Sequence, residues 1–231
     1  VYIYAANILH NFNILIEMKG KTAVLVGASG LVGNEILQIL LQDPHYEKVT
    51  LLVRKTLSVQ HPKVTEIIFD FEQMDATLVQ GDDLFCALGT TLKVAGSKEA
   101  QYKIDCLYPL ELGKIARANG FKGYHLVSSI GADAHSGNFY LRTKGELEKG
   151  LDALQFPLLS IARPSFLLGQ RKENRIGERI GIILVQFFRI LVPKKYRGVT
   201  AFKVAKCLVN TSIGPAKGLQ VFESDQIQDI K

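Results

Sequence analysis

"VGASGLVGNEIL", residues 26–37, decides how this chain is read. A β-branched run, "TAVLV", ends where Gly27, Gly30 and Gly33 follow at intervals of three, and an amphipathic run, "EILQILL", begins directly after them. Glycines between a strand and a helix serve two purposes. They allow a tight turn, and they bare amide N–H groups and a helix N-terminus that together suit a pyrophosphate. Gly27 fits the turn, Gly30 the approach of phosphate and Gly33 the packing of helix on strand, with Ser29, Leu31 and Val32 lining the same turn. A connection that is tight only for packing reasons is the competing reading, and the rest of the chain has to separate the two.

Strand-length apolar runs recur at residues 22–26, 49–53, 64–69, 83–87, 124–127 and 158–162. Between several of them lie helical patterns at 34–41, 98–118 and 139–154, the second stopped by "ANG" at 118–120. Alternation of this kind calls for an α/β fold, a Rossmann-type doubly wound parallel sheet with helices on both faces. Residues 21–231 are expected to form one such domain, preceded by an extension over 1–20. A small C-terminal segment, about 163–212, would cover the substrate, its apolar helix at roughly 178–191 being buried or facing a second copy or a protein partner. That helix is too short in its uninterrupted apolar part to span a bilayer. The first 17 residues lack the basic start and small-residue cleavage site of a signal peptide.

Composition narrows the class further. In 231 residues, 47% are hydrophobic and 22% charged, which is ordinary globular usage. A net charge of +6 without a basic, aromatic-interleaved tract points to a phosphorylated cofactor or anionic substrate rather than nucleic acid. Cys86, Cys106 and Cys207 are odd in number and far apart, and the five histidines show no ligand spacing. No metal site is expected, and a reducing cytoplasm fits.

Further motifs favour the nucleotide reading of the turn. The second strand ends in "LLVRKT", which places Arg54 and Lys55 where a dinucleotide fold meets the adenosine ribose; a guanidinium there suits a 2'-phosphate and so NADP(H) over NAD(H). Taken alone, the pair also reads as a solvated strand end. In "FYLRTKGELE", Tyr140 and Lys144 stand four apart on one helix face. A phenol with an unperturbed pKa of about 10 becomes a workable acid/base when an ammonium stabilises its phenolate. Such pairs also occur on plain solvated faces. The preceding strand ends at Ser128 and Ser129, where a hydroxyl, Ser129 by preference, can orient a substrate carbonyl beyond the carboxyl ends of the strands. Local hydrogen bonding at a strand end is the alternative for either serine.

Gly27-x-x-Gly30-x-x-Gly33, strand-end serines and Tyr140-x-x-x-Lys144, in that order, resemble the short-chain dehydrogenase/reductase superfamily. "GASGLVG", "VTLLVRK", "FDFEQMD", "DDLFCALGTT", "VSSIGAD", "YLRTKGELE" and "ARPSFLLGQR" are similar to its atypical branch, which holds the Tat-interacting protein and its bacterial relatives. The resemblance runs from about residue 21 to the C-terminus. It implies that Asp70 and Phe71 flank the adenine, and that Ala87, Leu88, Gly89, Thr90 and Thr91 line the middle of the cofactor. By the same resemblance Arg163, Pro164, Ser165 and Phe166 border the nicotinamide, with Ser128 beside them. It departs at Asp105, where many members carry Asn in a proton relay.

The activity implied is reversible hydride transfer between NADP(H) and a small or medium carbonyl or alcohol, with Ser129, Tyr140 and Lys144 catalytic. An NADPH-binding regulatory or interaction module with little turnover, and an isomerase or epimerase, are the alternatives.

Overall fold

The computed structural model describes residues 20–168 and 193–230. The anticipated late helix at 178–191 and the N-terminal extension lie outside the described residues. Seven parallel strands form one sheet: β1 (Lys21–Val26), β2 (Tyr46–Val53), β3 (Val64–Ile68), β4 (Asp83–Cys86), β5 (Gly123–Val127), β6 (Leu158–Arg163) and β9 (Gly218–Glu223). Their spatial order is β3-β2-β1-β4-β5-β6-β9. Two short strands, β7 (Leu167–Leu168) and β8 (Val199–Thr200), pair apart from it. The helices are α1 (Leu31–Gln42), α2 (Leu92–Ala95), α3 (Lys98–Tyr102), α4 (Tyr108–Ala118), α5 (Phe139–Asp152), α6 (Ala201–Ile213) and α7 (Ser224–Gln228).

Successive residues of a strand point to opposite faces, and here both faces are covered. Ala23 and Leu25 of β1 join one core with Ile36, Leu37 and Leu40 of α1 and Val204, Ala205 and Leu208 of α6. Val24 and Val26 face the other core, made with Leu112 and Ala116 of α4 and Leu147 and Leu151 of α5. Hence the continuous apolar runs in the sequence. The chain winds outward from β1 through β2 and β3, then resumes at β4 on the other side of β1. The strand order therefore reverses between β1 and β4, where Val26 is level with Cys86, and in open sheets of this kind the crevice beyond the carboxyl ends at such a reversal is where ligands bind.

The structure corrects the sequence reading in three places. The expected helix over 98–118 is interrupted by a π-helical turn, Lys103–Leu107. Residues 201–213, placed in a substrate-covering segment, form α6, whose Val204, Ala205, Cys207, Leu208 and Val209 are core residues. Beyond it lies the unanticipated β9, an edge strand with no fully buried residue and therefore a weak pattern.

A buried polar knot ties the amino ends of the strands. Asp83, 1% exposed, accepts a hydrogen bond from Tyr46 Oη at 2.6 Å, and Lys21 Nζ lies 2.6 Å from the same oxygen. Lys21 also donates to the Ser212 carbonyl at 2.7 Å, which ties down the end of α6. His125 Nε2 lies 3.2 Å from the other Asp83 oxygen, and its Nδ1 is 2.7 Å from Ser160 Oγ. Gly123 leaves the room for this pair, since a Cβ there would come within 2.2 Å of Asp83 Oδ1. Burial pushes the Asp83 carboxyl up, but His125 and Lys21 outweigh it and hold the group below its ordinary value.

Two predictions follow from this packing. Gly33→Ala brings a Cβ within 2.0 Å of the Gly27 carbonyl oxygen, so chemical denaturation should show a loss of at least about 2 kcal/mol, the scale of core overpacking. Asp83→Asn should cost about 3 kcal/mol at neutral pH, as expected when one partner of a buried ion pair is removed. A carboxyl depressed in the folded state binds fewer protons than in the unfolded chain, so its stabilisation is present above its unfolded value and is lost in acid. The gap between wild type and Asp83→Asn should therefore close as the pH falls below about 4.

Candidate functional site

At the crevice, backbone meets backbone. Gly27 adopts φ +85°, and a Cβ on it would lie 2.5 Å from the Ala87 carbonyl oxygen. The Ala87 amide donates to the Val26 carbonyl at 3.0 Å, which draws the segment after β4 against the glycine turn. A Cβ on Gly30 would meet only the Gly27 oxygen, at 3.2 Å, so the packing of the protein asks less of glycine here than at 27 or 33. Helices α2, α3, α5 and α6 open with side-chain caps from Thr91, Ser97, Asn138 and Thr200. Helix α1 opens at Gly30 with no side-chain cap and no acidic residue in its first turn. An uncapped N-terminus of this kind suits an anion.

Arg54 and Lys55 follow the end of β2, both exposed and, among the described residues, without an ion pair. Asp70, after β3, is exposed, and its Oδ1 accepts the Glu72 amide at 2.8 Å. Phe71 is buried, its ring 5.1 Å from Phe69 and 5.7 Å from Tyr108. The core thus holds the ring expected beside an adenine. Tyr108 is pushed up to about 12, first by burial and then by the Glu72 carboxylate, while the charge of Arg54 acts in the opposite direction.

The π-helical turn holds the residue at which the sequence departs from the superfamily. Asp105 is fully buried there; its Oδ1 accepts the Thr90 amide at 2.7 Å and its Oδ2 lies 3.4 Å from Gln101 Nε2. Burial pushes the Asp105 carboxyl up, and the nearby Lys144 ammonium and the Thr90 amide offset only part of that. Lys144 is 3% exposed, and its charge also acts on Cys86 at the end of β4 and on Cys106. Tyr140, one turn earlier on α5, is 37% exposed and so open to a ligand.

The two serines differ. Ser128 is buried and donates to Glu148, a short contact that commits it to the framework. Ser129 is half-buried, and among the described residues its hydroxyl makes one long hydrogen bond, 3.4 Å, to the adjacent Ile130 carbonyl. The loop after it is locked to α5: the Asp133 amide donates to the Leu141 carbonyl at 3.1 Å, and a Cβ on Gly145 would lie 2.1 Å from the Ala134 nitrogen. Ser129 is therefore carried on the same unit as Tyr140 and Lys144. Gly145, absent from the sequence reading, had left a signal there, since glycine inside a helix is costly without a packing reason.

The segment after β6 is divided. The Pro164 carbonyl accepts the Ile130 amide at 2.9 Å, which keeps this segment beside the serine loop, and Phe166 is 70% exposed. Arg163 is instead a framework residue, with Nη2 2.5 Å from Glu148 and Nη1 3.0 Å from Glu223. Ser165 is held likewise, donating to the Arg197 carbonyl and accepting from Ser224 Oγ at 3.0 Å. Among the described residues no three His, Cys, Asp or Glu side chains form a metal cluster, and no helix is long and apolar enough to cross a membrane.

No family model matches the chain. Among curated proteins it is 34% identical to Protein HTATIP2 of Rattus norvegicus over 220 residues, covering 91% of this chain and 89% of that protein. It is 40% identical to Protein FMP52, mitochondrial, of Candida glabrata over 166 residues, covering 69% of this chain and 70% of the relative. Among solved structures, that of MoeE5 in complex with UDP-glucose and NAD superposes with a TM-score of 0.67 at 15% identity, covering 87% of this chain and 74% of that one; at that identity the likeness speaks for the fold. With the glycine turn, the strand-end serines and the Tyr140/Lys144 helix on one Rossmann sheet and HTATIP2 matched over nearly its whole length, the chain belongs to the HTATIP2/FMP52 family, in the atypical branch of the short-chain dehydrogenase/reductase superfamily.

Proposed function

We propose that the chain is an NADP(H)-dependent oxidoreductase that converts a small or medium carbonyl compound and its alcohol. One observation carries this reading: Ser129, Tyr140 and Lys144 sit on one locked unit, and among the described residues the Ser129 hydroxyl has only a long 3.4 Å bond to its neighbour while Tyr140 is exposed. The cradle fits a dinucleotide, because side chains at Gly27 and Gly33 would strike backbone and α1 begins uncapped. In this reading Gly27, Gly30 and Gly33, with the Ala87–Thr90 segment alongside, would line the pyrophosphate region, and Arg54 and Lys55 would hold a 2'-phosphate. The cofactor, when bound, supplies or accepts hydride.

The chain supplies position and proton transfer. Ser129 Oγ donates a hydrogen bond to the substrate oxygen and polarises the carbonyl. Tyr140 Oη gives its proton to that oxygen in reduction and takes it back in oxidation. Lys144 lowers the cost of the resulting phenolate by Coulomb attraction, which is stronger at a buried site than in water. Asp105 lies near Lys144 and, by accepting the Thr90 amide, ties the cofactor loop to the π-helical turn. The exposed Phe166 offers an apolar wall at the substrate side. Three buried free thiols, Cys86, Cys106 and Cys207, support a reducing compartment such as the cytoplasm; the FMP52 relative carries a mitochondrial description.

Fluorescence titration with NADPH and NADH checks the cofactor. Arg54→Ala should weaken NADPH at least about tenfold, the loss of one charge-assisted phosphate contact, and leave NADH unchanged; an equal loss for both nucleotides would refute a 2'-phosphate role. A carbonyl-reduction screen with NADPH checks the chemistry. Tyr140→Phe should retain NADPH binding and lose about a hundredfold or more in kcat, the scale of a general acid/base. Tight NADPH binding by wild type with no turnover across the panel would replace the oxidoreductase reading with that of a cofactor-binding module.

A further inference from the structure

Only two residues, Arg54 and Lys55, separate the last rung of β2 from a loop that is fastened at a second point. On the sheet side Val53 pairs with Ile68, and its carbonyl accepts the Phe69 amide at 2.9 Å. On the loop side a single carboxylate, Glu66 of β3, gathers three donors from four consecutive residues. Its Oε2 accepts Thr56 Oγ1–H at 2.6 Å and the Leu57 amide at 2.9 Å, and its Oε1 accepts the Val59 amide at 2.7 Å. Thr56 Oγ1 in turn accepts the Ser58 amide at 3.1 Å. Ser58 holds φ 55°, a left-handed conformation that is unfavourable for a residue with a Cβ and that this ring of hydrogen bonds offsets.

We infer that Glu66 is a positioning residue for 2'-phosphate recognition: by fastening Thr56–Val59 it fixes where Arg54 and Lys55 leave the sheet, an inference that rests on the NADP(H) reading above. Both cations are exposed and without an ion pair among the described residues, so nothing but their backbone anchors them. Long cationic side chains lose considerable rotamer entropy on binding. A backbone held on both sides confines that loss to the side chains themselves. The Thr56 hydroxyl, followed by the loop amides, holds the Glu66 carboxyl below the usual range, so the clamp stays an acceptor at neutral pH. The charge of Glu66 by itself would repel a phosphate. Its three neutral donors leave that charge in place, so the gain from a fixed backbone has to exceed the repulsion.

The test is titration of the full chain with NADPH and NADH, NADH lacking the 2'-phosphate and so reporting everything except this contact. Glu66→Gln puts an NH2 against one of the three donors and should lower the NADPH:NADH affinity ratio about fivefold, the worth of about one net hydrogen bond. NADH affinity should be retained. Thr56→Val should act in the same direction and Thr56→Ser should restore the ratio, a pair that keeps the test open if Glu66→Gln is poorly folded. In an Arg54→Ala background Glu66→Gln should lower the ratio by less than it does alone, because both act on one contact.

A ratio unchanged in Glu66→Gln and Thr56→Val, with only the melting temperature lowered, would overturn the inference and leave the clamp purely structural. A raised ratio would overturn it too, by showing net repulsion. If Arg54→Ala lowers the ratio and the clamp variants do not, this inference alone fails. If Arg54→Ala also leaves it unmoved, the NADP(H) reading fails and takes the inference with it.

Discussion

The seat of α1 on the first strand end is a contact between main chains. Gly33 lies so close to the Gly27 carbonyl, and Gly27 so close to Ala87, that no side chain fits at either interface. Helix α1, the end of β1 and the loop after β4 are thereby brought together with no side chains between them. What remains at their junction is polar backbone, amide N–H groups at an uncapped helix start, and beyond it the crevice created by the reversal of strand order. The fold keeps side chains out of this junction, and in the proposed function Arg54, Lys55, Ser129, Tyr140 and Lys144 are the groups arranged around it.

Four carboxylates show how burial and partners assign different work to the same chemical group. Asp83 is buried beside Lys21 and His125 and its carboxyl is held below its ordinary value, fastening the amino ends of the strands. Glu148 is buried beneath Arg163 and Ser128 and joins α5 to β6. Glu66 is satisfied by hydroxyl and amide donors from a loop. Asp105 is the exception, because its burial outweighs Lys144 and Thr90 and its carboxyl is raised. A raised carboxyl disfavours the charged form in the folded state, so the ionisation of Asp105 works against folding. Asp83, whose carboxyl is lowered, sits at the opposite sign.

Much of this was legible in the sequence because it depends on local pattern. Apolar runs buried on both faces are continuous, glycines at strand-to-helix turns are sparse and regularly spaced, and i,i+4 pairs share a helix face whatever the tertiary structure. Six strands, the glycine turn and the Tyr140/Lys144 face were readable for those reasons. β9 was not, because an edge strand with half-exposed residues carries a diluted apolar signal. Nor was the division of labour between adjacent serines: that Ser128 is consumed by Glu148 depends on residues 20 positions apart. The family resemblance implied Arg163 and Phe71 as ligand neighbours; it gave no sign of their long-range partners, Glu148 and Glu223 for one and Phe69 and Tyr108 for the other. The Glu66 clamp was invisible for the same reason, an isolated glutamate in a strand giving no sign of the loop that folds back on it.

The π-helical turn makes the coupling of the two halves of the site intelligible. A regular α-helix over 98–118 would advance Asp105 and the residues after it by a different rotation, whereas one wider turn, Lys103–Leu107, adds a residue to the circuit before α4 resumes. In the observed path Leu112 and Ala116 of α4 still reach the core, while Asp105 is buried against the Thr90 amide and near Lys144. Both demands fall on one continuous helical segment, and the turn resets the phase between them. The loop that carries Thr90 and the helix that carries Lys144 consequently both lie near Asp105.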